Sequence, residues 1–161
     1  MGMLDRLTGQ LRRTSTTNVL SVRGSMLLTV VGESYRQDTL RAVARVATDA
    51  TPFLEQLDED AFEPGRSDDR RWFRAALLRE PANPQDPNTV AIHATGVGLV
   101  GYLSREDAAR YQPVFLSAEE RGFGALACPA ILTGGEGWRD FGVVLAFSAP
   151  GSILRRLSSA E

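Results

Sequence analysis

One cysteine, one histidine and no lysine occur among the 161 residues. With Cys128 alone, no intrachain disulfide framework can form, and the composition fits a reducing compartment, so a cytoplasmic location is expected. His93 and Cys128 together are too few for a structural zinc site. A serine or cysteine nucleophile likewise lacks a histidine partner of suitable context. His93 falls opposite Val90 and Ile92 in an alternating run, so a solvated position is expected for it. The absence of lysine excludes Schiff-base catalysis and the phosphate lysine of a Walker loop. No apolar run approaches the length of a membrane span, and the N-terminus lacks the apolar stretch of a signal peptide. The reading is a non-catalytic protein with no cofactor, no metal and no membrane partner.

Charge is present but unevenly spread. The 18 basic residues, all arginine, stand against 20 acidic ones, a net charge of −2. Residues 1–25 carry Arg6, Arg12, Arg13 and Arg23 against Asp5 alone. Residues 49–69 carry Asp49, Glu55, Asp58, Glu59, Asp60, Glu63, Asp68 and Asp69 against Arg66 alone. An acidic segment is thus attached to a mildly basic body. The chain lacks the basic excess of a strong nonspecific DNA binder.

At this length one domain with a real core is expected. Residues 1–25 read as a flexible N-terminal tail, with a short helix near Leu4 to Leu11 and a polar stretch from Arg12 to Asn18. Met26 to Val31 is a continuous apolar run, read as a buried strand. Asp38 is a candidate cap for a helix whose Leu40, Val43, Ala44 and Ala47 fall at helical spacing. Residues 49–70 read as an acidic insertion broken by Pro52, Pro64 and Gly65 and dotted with Phe53, Leu54, Leu57 and Phe62.

The second half is strand-rich. Trp72 to Leu78 and Thr89 to Ala94 are expected strands, Thr95 to Gly98 a turn, and Leu99 to Leu103 the returning strand. Ser104 and Asp107 open a helix, and Pro113 is expected to kink or split it. Ala125 to Leu132 and Phe141 to Phe147 form a final pair across Gly134-Gly135-Glu136-Gly137, which reads as a hairpin loop because no helix follows it. Residues 150–161 read as a C-terminal tail. Short strands with two or three helices make the fold class mainly β, α+β, and point to a small barrel.

Between two of these strands lies Arg79-Glu80-Pro81-Ala82-Asn83-Pro84-Gln85-Asp86-Pro87-Asn88. Three prolines remove backbone donors and restrict their neighbours, so this segment is a rigid loop presenting Asn83, Asp86 and Asn88 from a fixed frame. These oxygens lack the spacing and terminal glutamate of an EF-hand calcium loop. Taken with Val31-Gly32-Glu33-Ser34-Tyr35, the stretch Leu78 to Val90 and Val100-Gly101-Tyr102-Leu103, the loop resembles the HIRAN family. That family is a small β-rich domain found alone in bacteria and at the N-terminus of some helicase-like DNA-repair ATPases. The likeness runs from Met26 to Phe147, places a HIRAN-like domain over 26–149, and makes an OB-like barrel the expected form.

The resemblance implies a non-catalytic module that recognises single-stranded DNA ends carrying a free 3′-hydroxyl. It acts in DNA repair or replication stress, and a helicase or nuclease encoded separately is the implied protein partner. Tyr35 matches an aromatic position used for base stacking; the plain alternative is a core or rim tyrosine. Asp86 matches the loop carboxylate that would accept from the terminal hydroxyl, and it also suits an Asx turn, two compatible roles. Asn83 either bonds the loop backbone or meets ligand. Arg105 either meets phosphate near a helix N-terminus or is a solvated first-turn arginine. Tyr102 is an edge aromatic or part of the core, and Arg36 a clamp on sugar-phosphate or an ordinary surface arginine. Arg79 is expected to pair with Glu80 or Asp86. Gln85 departs from the family, which places a second aromatic beside the aspartate. The competing reading is a regulatory adaptor that has lost DNA affinity and docks a partner through its acidic segment.

Overall fold

The computed structural model describes residues 18–49 and 71–159. The expected helix near Leu4 to Leu11, and most of the acidic segment with Phe53, Leu54, Leu57 and Phe62, lie outside the described residues. The element order is β1 (Asn18–Ser21), β2 (Met26–Val31), a 3-10 turn (Glu33–Tyr35), α1 (Gln37–Val46), β3 (Thr48–Asp49) and β4 (Arg71–Arg79). It continues with β5 (Val90–Ala94), β6 (Gly98–Leu103), α2 (Arg105–Glu120), β7 (Phe123–Gly134), β8 (Phe141–Phe147) and α3 (Pro150–Ser159).

Strands β4, β5, β6, β2, β8 and β7 pair in that order, each antiparallel to the next. β7 then pairs back onto β4 through Arg71↔Leu132 to Leu77↔Leu126, closing six strands into a barrel. β1 adds to β7 as a parallel strand, and β3 adds to the start of β4. The length of β7 makes this possible. Its first half serves β1 while its second half serves β8, and β4 runs along both. The expected small α+β barrel is therefore the observed one, with three α-helices among the described residues.

Period-two alternation decides which side chains fill it. Leu28, Leu145, Ala130 and Phe73 are matched across four neighbouring strands and all point inward. Leu77 joins Leu126 on one side and Ile92 on the other. Helix α2 packs on this core with Ala108, Tyr111, Val114, Phe115 and Ala118, positions that recur at helical spacing. Tyr111 meets Phe147 edge-on at 5.2 Å, and its hydroxyl donates to the Ser148 carbonyl at 2.8 Å. Burial raises the Tyr111 pKa, so the phenol stays neutral and keeps its donor.

Several local expectations change in the fold. Asp38 does not cap α1: Arg36 occupies that position, without a side-chain cap bond, because the chain enters the helix directly from the 3-10 turn. Asp38 instead pairs with Arg41 one turn on. α2 runs unbroken from Arg105 to Glu120 through the exposed Pro113, rather than splitting there. Its Ser104 cap is as expected, with the hydroxyl accepting from Asp107 N–H at 3.1 Å. In the stretch read as a C-terminal tail, α3 forms and buries Ile153 and Leu157. No helix among the described residues is long and apolar enough to cross a membrane.

Candidate nucleic-acid interface

The proline loop joins β4 to β5 and makes its own framework. Asn83 Oδ1 accepts from Gln85 N–H at 3.0 Å, and Asp86 Oδ1 accepts from Asn88 N–H at 2.9 Å. Both are Asx turns. The Asp86 carbonyl accepts from Thr89 N–H and from the Thr89 hydroxyl, which closes the loop onto β5. Three prolines leave few donors to satisfy, and these side-chain bonds supply the turn geometry the backbone cannot.

The loop is also fastened to α2. Arg79 does not pair with Glu80 or Asp86; its guanidinium forks onto both Glu119 oxygens, at 2.8 and 3.0 Å. The reason is topological. Arg79 ends β4 where α2 crosses, and Glu119 presents a carboxylate of matching geometry there. Gln112 completes the link by donating to the Asn88 carbonyl at 3.0 Å and accepting from Arg79 at 3.3 Å.

This arrangement leaves one oxygen of Asp86 with little to do. Oδ1 is committed to the turn, whereas among the described residues Oδ2 has only Arg105 Nε, at 3.5 Å. Asp86 is 17% exposed and Arg105 82%, so the carboxylate is set into the loop while the guanidinium lies in water. Such an ion pair contributes little in itself. It does set a fixed acceptor beside an exposed cation, a pairing suited to a hydroxyl with a neighbouring phosphate.

Tyr102 is neither a core residue nor isolated. It is half-buried on the outer face of the barrel, in a row that runs Val31, Tyr102, Ala91, Leu78 across four strands. Val31 and Leu78 are exposed, so this row is an apolar band. The chain leaves β2 from Val31 through Gly32, whose backbone sits at a positive φ of 81° and turns into Glu33–Tyr35.

That turn is docked on β8 by two side chains that sequence reasoning did not single out. The Gln37 amide donates to the Phe141 carbonyl at 3.1 Å and accepts from Phe141 N–H at 2.8 Å, imitating a strand partner. Gln37 also donates to the Glu33 carbonyl at 3.0 Å. The Glu33 carboxylate accepts from Val143 N–H at 2.8 Å. Burial raises the Glu33 pKa, and the bond from Val143 partly opposes this. A glutamate and a glutamine four residues apart around an aromatic are the only sequence sign of this device.

On the docked turn Tyr35 is 88% exposed, so the rim reading applies and the core reading does not. Arg36 beside it is half-buried and forms no ion pair among the described residues. The fold thus brings Asn83, Asp86 and Arg105 together and sets Tyr102 on the neighbouring outer face. It carries Tyr35 and Arg36 on the turn after Val31. No hydrogen bond, ion pair or ring contact joins Tyr35 to Asp86 or Arg105 among the described residues. Gln85 is exposed, so no second aromatic stands in the loop. Elsewhere, His93 is half-buried rather than fully solvated. Cys128 is buried with its thiol pKa pushed strongly upward, far from a reactive thiolate.

No protein-family model and no curated protein matches the chain. Among solved structures, the chain matches the crystal structure of the HIRAN domain of human HLTF, at 18% identity and a TM-score of 0.40, over 86% of this chain and 87% of that one.

Proposed function

We propose that this chain is a non-catalytic nucleic-acid-binding module that receives the end of a single-stranded DNA, its 3′-hydroxyl facing Asp86. The observation that carries this reading is the division of labour within the Asp86 carboxylate. One oxygen builds the loop and the other points to Arg105 across 3.5 Å. A terminal hydroxyl donates to that second oxygen, while Arg105 remains free to meet the adjoining phosphate. A 3′-phosphate in the same place meets carboxylate repulsion. Tyr35, exposed on a fastened turn, offers a face on which an unpaired base stacks for about 1–3 kcal/mol. Asn83 holds the loop in shape, and Tyr102 with Arg36 supplies the outer-face and flanking contacts.

The test is fluorescence anisotropy with short single strands at low and physiological salt, comparing 3′-hydroxyl with 3′-phosphate ends. The reading expects the phosphate to weaken binding at least tenfold, roughly 1.4 kcal/mol. It expects Tyr35→Ala to weaken both ligands. Binding indifferent to the end group would reduce the site to electrostatics, and absence of binding at low salt would remove the function altogether.

A further inference from the structure

Trp138 is 91% exposed at the tip of the β7–β8 hairpin. A tryptophan left in water carries a large unused stacking and burial surface. The loop that carries it is built rather than slack. Gly134, Gly135 and Gly137 all adopt positive φ, conformations that side chains resist. At Gly135 a Cβ would stand 2.1 Å from the Phe141 ring, so only glycine lets that ring close under the loop. Gly135 N–H donates to the Arg139 carbonyl at 3.1 Å, and Arg139 N–H donates to the Glu136 carbonyl at 3.0 Å.

Phe141 also connects this loop to the Tyr35 turn. Its ring supports Gly135, and its backbone N–H and C=O are both held by Gln37, two residues beyond Tyr35. Two nearly bare aromatic rings therefore sit on two segments fastened to the same strand start. Each is followed by an arginine, Tyr35-Arg36 and Trp138-Arg139, and neither arginine forms an ion pair among the described residues.

We infer that Trp138 is a second stacking platform for single-stranded nucleic acid, taking up a base at a distance from the one held by Tyr35. The inference rests on the proposed function and extends it. The surroundings of the ring select the ligand class. Residues 134–140 offer no other large apolar side chain, so the loop lacks the contiguous apolar patch of a protein interface. An isolated ring in polar company fits a single base, whose π-face every nucleotide provides. Glu136 and Asp140 outweigh Arg139 in the loop, which supplies no net attraction to phosphate, so the contribution of Trp138 is stacking, and removing this uncharged ring leaves the salt dependence unchanged.

The test uses the full chain with oligo(dT) and oligo(rU) of about eight nucleotides, at low and physiological salt. Wild type, Trp138→Ala, Trp138→Phe and Tyr35→Ala are compared by anisotropy and tryptophan emission. The expected result is quenching of the exposed tryptophan on binding and a loss of about 5- to 150-fold for Trp138→Ala. That loss should be similar at both salts, with Trp138→Phe in between. Loss with oligo(dT) alone would assign the platform to DNA, and loss with both would make it indifferent to the sugar. Since the ring is almost wholly in water, an unchanged unfolding midpoint certifies the variant. If Tyr35→Ala weakens binding while Trp138→Ala and the emission stay at wild-type behaviour, the second platform is overturned and the proposed function stands. That outcome would leave the ring to a protein partner. If wild type fails to bind either oligonucleotide at low salt, both fall together.

Discussion

Replacing Gln37 tests whether the Tyr35 turn is a fixed platform, because Gln37 alone satisfies both polar groups of one β8 residue. Its amide makes three bonds, at 2.8, 3.0 and 3.1 Å, to Phe141 N–H, the Glu33 carbonyl and the Phe141 carbonyl. Gln37→Ala releases two backbone groups of Phe141 that water can partly reach. At a net 0.5–1.5 kcal/mol for each of the three bonds, a loss of about 1.5–4.5 kcal/mol of stability is expected. With a urea dependence of about 1–3 kcal/mol per molar, the midpoint should fall by roughly 1 M. Gln37→Glu is the sharper variant. It keeps the acceptor for Phe141 N–H but loses both donated bonds and sets a negative charge against two carbonyl oxygens, so it should cost at least as much. Amide exchange at Tyr35 and Arg36 should accelerate in both variants, and DNA affinity should drop as the ring loses its fixed position. A Gln37→Glu protein with the midpoint and exchange of wild type would show that the turn is not held this way, and the platform argument would fail with it.

Four further outcomes follow from the geometry. Gly101→Ala places a Cβ 2.5 Å from Val30 Cγ1 and 2.6 Å from the Val31 carbonyl oxygen, and β2 cannot retreat without breaking its row; urea unfolding should show a loss of about 1–3 kcal/mol. Tyr111→Phe strands the Ser148 carbonyl and should cost about 1–2 kcal/mol, again read from the urea midpoint. Arg79→Lys cannot fork onto Glu119 and should destabilise by about 1 kcal/mol while loosening the proline loop, seen as faster amide exchange at Asn88 and Thr89. Because the Glu33 pKa is raised in the fold from its ordinary 4.5, the folded state binds this proton more tightly. Its stabilising contribution is full below that value and is lost as pH rises through the raised one. Glu33→Gln removes this dependence, so the variant should gain on wild type in unfolding experiments between acid and neutral pH.

What could be read in the chain was what its neighbours in sequence decide. The strands beside the proline loop, the turn at Gly96 and the Ser104 cap depend on alternation, glycine and one hydroxyl, and each stands close to where it was expected. What escaped depends on distant partners. β1 forms by lying parallel to β7, a partner about 100 residues away that its four residues cannot announce. Arg79 chose a carboxylate 40 residues away over two nearby ones, because α2 crosses at that point. Tyr102 took the outer face because of register: an irregularity between Ile92 and His93 shifts the pairing of β5 with β6, and a one-residue shift exchanges the faces. Trp138 was legible in principle. An aromatic among glycines and charges in a hairpin tip has no core to enter.

The double duty of Asp86 makes the choice of substitution decisive for the proposed function. Asp86→Ala removes the Asx turn along with the carboxylate, so lost binding after it would say nothing about end recognition. Asp86→Asn separates the two roles. An asparagine oxygen still accepts from Asn88 N–H, and the carbonyl bonds to Thr89 are untouched, so the loop keeps its shape. What disappears is the charge on the oxygen that faces Arg105 and that, in the proposed function, accepts from the 3′-hydroxyl. A hydrogen bond to a charged acceptor contributes about 1.5–3 kcal/mol, so affinity for a 3′-hydroxyl end should fall by roughly tenfold or more. Removing the same charge relieves the repulsion of a 3′-phosphate, so affinity for that end should rise. The two ligands should therefore converge in Asp86→Asn, a change of preference and not merely of strength. Equal weakening for both ends in anisotropy titrations would mean that Asp86 shapes the loop and does nothing more.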